Sequence, residues 1–292
     1  MAYVDVRLPN GDRSVGSAFH IGEGVFVTAR HVVEHNTIVE VKITEPLGIT
    51  AQEYLKSILD REPTEDEIKK ENQIYSRNGE IPLFRHYHEP LRISEGPHFS
   101  SAAELDVAVF RVCNLHPAAG VVRLGIHWDD WIYRVQWQMS EAVVLGYPPI
   151  PMVNTPLLVA ARAEIHTYVQ PRYTHFLHFI LSAIPRGGFS GGVAIHESGD
   201  ALGLITSSFV ADGKPPELGF FAVLSVEGIV NCLTENSLYT ETQRQHHESR
   251  LGFDPGPVLT GIRSSGGDTG PQTSTRDQSI SEDVPVAAKP AE

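Results

Sequence analysis

Acyl transfer by a serine hydroxyl needs four groups. These are an exposed hydroxyl, a neutral imidazole to take its proton, a carboxylate to orient that imidazole, and N–H donors for the oxyanion. The chain offers a candidate for each, in the order His, Asp, Ser. Ser190 lies in Arg186-Gly187-Gly188-Phe189-Ser190-Gly191-Gly192. Glycines on both sides allow a backbone turn sharp enough to aim the N–H groups of Gly188 and Ser190 at one point. A glycine-rich turn with an incidental serine is the alternative, and the run alone does not decide between them. His31 lies in Val27-Thr28-Ala29-Arg30-His31-Val32-Val33, just past an apolar run. By itself it reads equally as a structural histidine, one of 14 in the chain. Asp106 opens Leu105-Asp106-Val107-Ala108-Val109-Phe110, where a carboxylate is costly to bury unless something pairs with it. Its alternative is a strand-edge charge turned to water. Singly the two are weak signals; with Ser190, in that order, they make a coherent set.

The other histidine groupings, His86-Tyr87-His88, His175 with His178, and His246-His247, lack the carboxylate or cysteine spacing of a zinc motif. They read as solvated or structural, and neither a metal nor a cofactor is expected.

The elements that must position these residues are mostly strands. Residues 15–21, 25–29 and 37–43 read as short strands, the first two joined by a Gly-x-Gly hairpin turn. Further apolar runs occupy 105–112, 142–146, 157–168, 176–182, 192–195, 201–208 and 219–224. With so little helix between them, paired β-barrels or a sandwich fit better than alternating β and α units. Between Thr50 and Ser76 the pattern turns helical, with Thr50 and Thr64 as N-caps before acidic first turns. In 225–233, Val226, Ile229, Val230 and Leu233 fall on one face of an amphipathic helix. A polar helical segment is expected over 236–251, and from about Gly252 to the end the Gly-, Pro- and Ser-rich sequence predicts a disordered tail.

Bulk properties exclude several functions. A formal charge of −13 argues against tracking phosphates, so no nucleic-acid partner is expected. No run approaches the roughly 20 apolar residues of a membrane span, and no membrane partner is expected. The first residues show no basic, then apolar, leader pattern, which predicts a cytoplasmic protein. The two cysteines, Cys113 and Cys232, both sit in apolar runs and read as buried reduced thiols.

The blocks around these residues resemble the trypsin-like peptidases, especially the compact bacterial branch related to HtrA-type proteases. Gly16-Ser17-Ala18-Phe19-His20-Ile21 is similar to that branch's Gly-Ser-Gly-Phe strand, and Val27 to Val33 to its Thr-x-x-His-Val-Val block. Leu105 to Val109 resembles its Asp-Leu-Ala-Val strand. Leu145-Gly146-Tyr147-Pro148 is similar to its Gly-Asn-Pro turn, and Gly203 to Thr206 to the strand after the nucleophile. The likeness covers about residues 12–233.

It implies an all-β fold of two six-stranded antiparallel barrels, about 12–115 and 135–224, with a short C-terminal helix at 225–233. It implies a serine endopeptidase acting on proteins or peptides, with His31 as general base then acid, Asp106 fixing its tautomer, and Ser190 forming the acyl-enzyme. Gly188 and Ser190 would donate to the oxyanion, and Thr206, Ser207 and Ser208 would pair with the substrate as an added strand. The same alignment places Ile184 at the base of the specificity pocket, with Ser208 and Gly219 on its walls. No acid stands there, so an apolar or small P1 side chain is expected and a basic one is not. Three features depart from the family. Phe189 stands where relatives have Asp or Asn, so their activating ion pair cannot form. No PDZ-like segment follows residue 233. An insertion at about 45–97 separates His31 from Asp106; it could cover the cleft, bind a regulatory protein or decorate the surface. A catalytically silent fold that binds peptides or partners is the other reading.

Overall fold

The computed structural model describes residues 1–59, 61–76, 83–184, 186–206, 208–210 and 219–252. The first half of the chain supplies a six-stranded sheet. Its strands are β1 (Ala2–Arg7), β2 (Arg13–His20), β3 (Val25–Thr28), β4 (Thr37–Lys42), β7 (Ile93–Phe99) and β8 (Ala108–Val112), in the order β4-β1-β2-β3-β8-β7. The second half closes into a barrel of β9 (Glu141–Gly146), β10 (Val159–Val169), β11 (His178–Leu181), β12 (Val193–His196), β13 (Ala201–Ile205) and β14 (Phe221–Ser225). All pairings of these strands are antiparallel. The two-unit all-β fold expected from the strand pattern is present, but only the second unit is a closed barrel.

The first sheet stops short of closure for a local reason. Its edges, β4 and β7, approach where the Leu91 N–H donates to the Val41 carbonyl at 2.7 Å. Pro90 precedes that contact and Pro97 lies within β7, and neither can donate to a ladder. β7 also shifts register against β8 twice, between Ile93 and Glu95 and between Glu95 and His98.

Successive residues of a strand face opposite sides, and in the central strands β3 and β8 both sides are dry. Ala18, Phe26, Ala108, Phe110 and Val112 fill the interior of the first sheet. Their neighbours Phe19, Val25, Val27, Val107 and Val109 point the other way, into a second cluster shared with Val193, Leu204 and Leu224 of the barrel. Helix α4 (Val226–Glu235) adds Val226, Ile229, Val230 and Leu233 to that shared cluster, the face read from its spacing. A third cluster, including Trp137, Phe179, Phe189, Leu202 and Val223, fills the barrel. The apolar run at 107–110 therefore reflects burial on both faces, as in a strand caught between two cores.

The insertion is narrower than 45–97, because 93–99 is β7 of the first sheet. Its described part holds a two-stranded sheet, β5 (Leu47–Ile49) with β6 (Phe84–His86), and two helices, α2 (Ala51–Ile58) and α3 (Glu65–Tyr75). Thr50 and Thr64 cap these helices, each closing a capping box with Glu53 or Glu67. Three further elements escaped the sequence pattern: β1, the single-turn helix α1 (Arg30–Val33) and a 3-10 helix at Asp129–Arg134. After α4, helix α5 (Glu241–Leu251) is held by buried Gln243, whose amide donates to the carbonyls of Ile21 and Val122 and whose carbonyl accepts from the Leu124 N–H.

Both cysteines are free, but Cys113 is exposed at the end of β8 rather than buried. Cys232 is buried, and burial pushes its thiol up to about 12. The expected disordered tail lies outside the described residues, apart from Gly252. No helix among the described residues is long and apolar enough to cross a membrane.

Candidate active site

His31 and Asp106 meet because β3 and β8 are antiparallel neighbours. Thr28, the last residue of β3, pairs with Ala108, the first of β8. The chain just after β3 and the chain just before β8 therefore share one end of the sheet. α1 turns His31 toward Asp106 while Val32 and Val33 bury the other side of the turn. Gly16 is what lets this helix lie on β2: a Cβ there would stand 2.5 Å from Val32 Cγ1.

Asp106 grips His31 twice. Its Oδ1 accepts from the His31 backbone N–H at 2.9 Å, and its Oδ2 lies 2.7 Å from Nδ1. A carboxylate only accepts, so Nδ1 carries the proton and Nε2 keeps its lone pair. Burial alone would lower the pKa of this imidazole, but the hydrogen bond and the charge of Asp106 outweigh it and hold the value above 6.5.

Ser190 and His31 line one cavity of about 270 Å³, with Arg186, Gly187, Phe189, Ile205, Thr206, Ser208, Val210, Phe221 and Ala222. The hydroxyl of Ser190 sits at the end of a tightly packed loop. Phe189 is buried in the barrel core, 5% exposed, with its ring edge-on to Phe221. Gly188 and Gly191 have φ of +86° and +85°. A Cβ on Gly188 would fall 2.4 Å from the Tyr147 carbonyl, and one on Gly191 2.0 Å from the Ser17 carbonyl. At these two positions only glycine fits. Among the described residues, neither the Gly188 nor the Ser190 N–H donates to another backbone carbonyl.

The expected substrate-binding residues divide. Thr206 is buried and Ser208 half-buried, and both line the cavity on the chain leaving β13. Ser207 lies outside the described residues. Ile184 is 59% exposed, and neither it nor Gly219 is among the lining residues. The apolar wall is built instead by Ile205, Val210, Phe221 and Ala222. Ile205 ends β13 and Phe221 and Ala222 open β14, so it is the pairing of these two strands that brings them together. Ser17 was also missed as a site residue, although a hydroxyl in the otherwise apolar stretch 15–19 is a signal. Its N–H donates to the Ser190 carbonyl at 2.8 Å.

Among the described residues, no group of three or more His, Cys, Asp or Glu could hold a metal ion. His246 stands 3.2 Å from Asp200, and His247 is buried beneath Trp128, its pKa pushed down to about 4 by burial.

No family model matches the chain, and no curated protein sequence matches it. Solved structures do. The HtrA-type protease AlgW with a tripeptide is similar at a TM-score of 0.50 and 14% identity, over 82% of this chain and 60% of that one. A second AlgW structure with a tripeptide gives the same values. The Rv3671c protease of M. tuberculosis in its active form follows at 0.49 and 16%, over 80% of this chain and 78% of that one. The chain thus spans about three fifths of the length of AlgW. The likeness is one of fold, two antiparallel β units.

Proposed function

We propose that this protein is a serine endopeptidase. The observation that carries the reading is the His31–Asp106 pair opening on the same cavity as Ser190. In this reading Nε2 of His31 takes the hydroxyl proton as Ser190 Oγ attacks the scissile carbonyl carbon. Asp106 keeps the proton on Nδ1 and stabilises the imidazolium that forms. The carbonyl oxygen, now negative, is received by the N–H groups of Gly188 and Ser190, which among the described residues donate to no backbone carbonyl. His31 then gives its proton to the leaving amine. Water, deprotonated by the same imidazole, cleaves the ester and restores the hydroxyl.

The substrate in this reading is a protein or peptide laid as an added strand along Thr206 to Ser208, with its P1 side chain in the 270 Å³ cavity. The tripeptide named with AlgW agrees with a peptide ligand for this fold. Ile205, Val210, Phe221 and Ala222 favour an apolar or small P1 residue, and one methylene in such a wall is worth about 1–3 kcal/mol of discrimination. The described insertion residues line none of this cavity, which favours a partner-binding or decorative role for them over a cover.

The test is digestion of an unfolded protein, with the new termini read by mass spectrometry. Wild type is expected to cut after apolar or small residues, and Ser190→Ala not to cut. Cuts mainly after Lys or Arg would overturn the pocket reading. No cuts by wild type, alone or in lysate, would overturn the endopeptidase reading in favour of a silent peptide-binding module.

A further inference from the structure

We infer that Ser17 is a positioning residue that holds the nucleophile loop in a preset conformation from the opposite half of the molecule; the inference rests on the peptidase reading for its catalytic consequence, but not for its structural one. Ser17 is fully buried in β2, a strand of the first sheet, while the loop it touches belongs to the second barrel. Its hydroxyl donates to the Gly188 carbonyl at 2.6 Å and accepts from the Tyr147 N–H at 2.9 Å. Its backbone N–H donates to the Ser190 carbonyl at 2.8 Å. Its own carbonyl accepts from the hydroxyl of buried Thr28 at 2.7 Å, which fixes Ser17 on β3 in turn. One residue thus engages the carbonyls on both sides of Phe189, and the Phe189 ring is sealed in the barrel core.

The effect on the loop follows from the geometry. Residues 188–190 are held at two carbonyls and one side chain, so the Gly188 peptide cannot rotate without breaking a buried hydrogen bond. A buried Gly188 carbonyl or Tyr147 N–H left without its partner is penalised, which disfavours any rearranged loop. The close approach is itself encoded. Gly191 carries no Cβ because one would strike the Ser17 carbonyl at 2.0 Å, and Gly146 none because one would meet Phe189 Cδ1 at 2.7 Å and Ser17 Oγ at 3.1 Å. Two glycines and a serine therefore act as one device: glycine where the two halves must touch, and a hydroxyl where the loop must be held.

The experiment compares full-length wild type with Ser17→Ala and Ser17→Cys in two independent readouts. The first is amide hydrogen exchange over 186–192, which needs no activity. The clamp predicts faster exchange there in Ser17→Ala, with the α5 and β4 amides unchanged. The second is hydrolysis of a peptide together with inhibition by the corresponding peptide aldehyde. Ser17→Ala is expected to lose on the order of 10²-fold in kcat with KM little changed, and to bind the aldehyde more weakly by a similar factor. If Ser17→Ala does not fold, Ser17→Cys, of similar size with a weak donor, carries both readouts. Unchanged exchange over 186–192 in a folded variant, or a loss in KM alone, overturns the clamp. Faster exchange in a protein whose wild type hydrolyses nothing would support the clamp and remove the peptidase reading.

Discussion

The second barrel closes through six hydrogen-bonded strands, whereas the first sheet ends at β4 and β7 and lets a folded insertion leave between them. The same contrast holds at the site. The barrel contributes a loop in which Gly188, Gly191 and Gly192 each face a backbone oxygen within 2.4 Å of where a Cβ would be. The first sheet contributes His31 and Asp106, whose meeting needs only that β3 and β8 pair with Thr28 opposite Ala108. An open sheet can take an insertion at its edge without disturbing a pair built at its centre. The loop around Ser190 has no such freedom, because backbone oxygens stand against Gly188, Gly191 and Gly192 where a Cβ would go.

The strongest way to break this comparison is to remove a reacting group from each half. Ser190→Ala and His31→Ala are each expected to lower kcat by about 10⁴- to 10⁶-fold, and Asp106→Asn by about 10⁴-fold, in steady-state peptide hydrolysis. Equal losses from the two halves mean one machine; a mild effect of His31→Ala would separate them.

Next come substitutions that test how tightly the loop is packed. Phe189→Ala removes a buried ring from the barrel core and should cost about 3–5 kcal/mol in chemical denaturation. Gly191→Ala should be comparably harmful, while Gly187→Ala, where a Cβ would meet nothing within 4 Å, should be nearly neutral. Equal effects at 187 and 191 would contradict the packing account.

Histidines sharpen the comparison further. His31, paired with Asp106, has its pKa raised above 6.5, and it acts as a base only when neutral. kcat/KM should therefore fall as pH drops through a value above 6.5, and Asp106→Asn should move that inflection down. The pair's own contribution to stability has the opposite sense: it is present at low pH and lost as pH rises through the raised value. His127, packed on Trp137 and Phe179 of the barrel, has its pKa lowered to about 4 by burial, as does His247 on α5. The unfolded chain binds protons at these sites first, so stability should drop as pH falls from about 6.5 toward 4. Unfolding midpoints across that range, alone and in His247→Gln, read the effect.

The smallest expected effect is that of the insertion. Replacing the segment from Thr50 to Ser76 by a short linker should leave hydrolysis of a short peptide unchanged, since no described residue there lines the cavity. A large change would show that the first half is less independent of its insertion than its topology implies.

Much of this was legible in the residues. The order of His31, Asp106 and Ser190, the glycines around Ser190, the capping threonines and the apolar face of α4 all follow from local rules. What escaped was long-range. The cavity wall at Phe221 and Ala222 depends on which strands pair, and β1 has only Ala2, Val4 and Val6 turned inward to announce it. Phe189 read as a missing ion-pair partner; in the folded chain it is a core residue. Ser17 read as part of a family-like strand, and its grip on Gly188 is a contact 171 residues away in sequence.

The central claim is that Ser190 is a nucleophile activated by His31 from the other half. Intact-mass analysis after brief exposure to a fluorophosphonate tests it most directly. One adduct per chain, mapped to Ser190 and absent from both Ser190→Ala and His31→Ala, is the predicted result. No adduct on wild type, or equal labelling of Ser190 in His31→Ala, would contradict it.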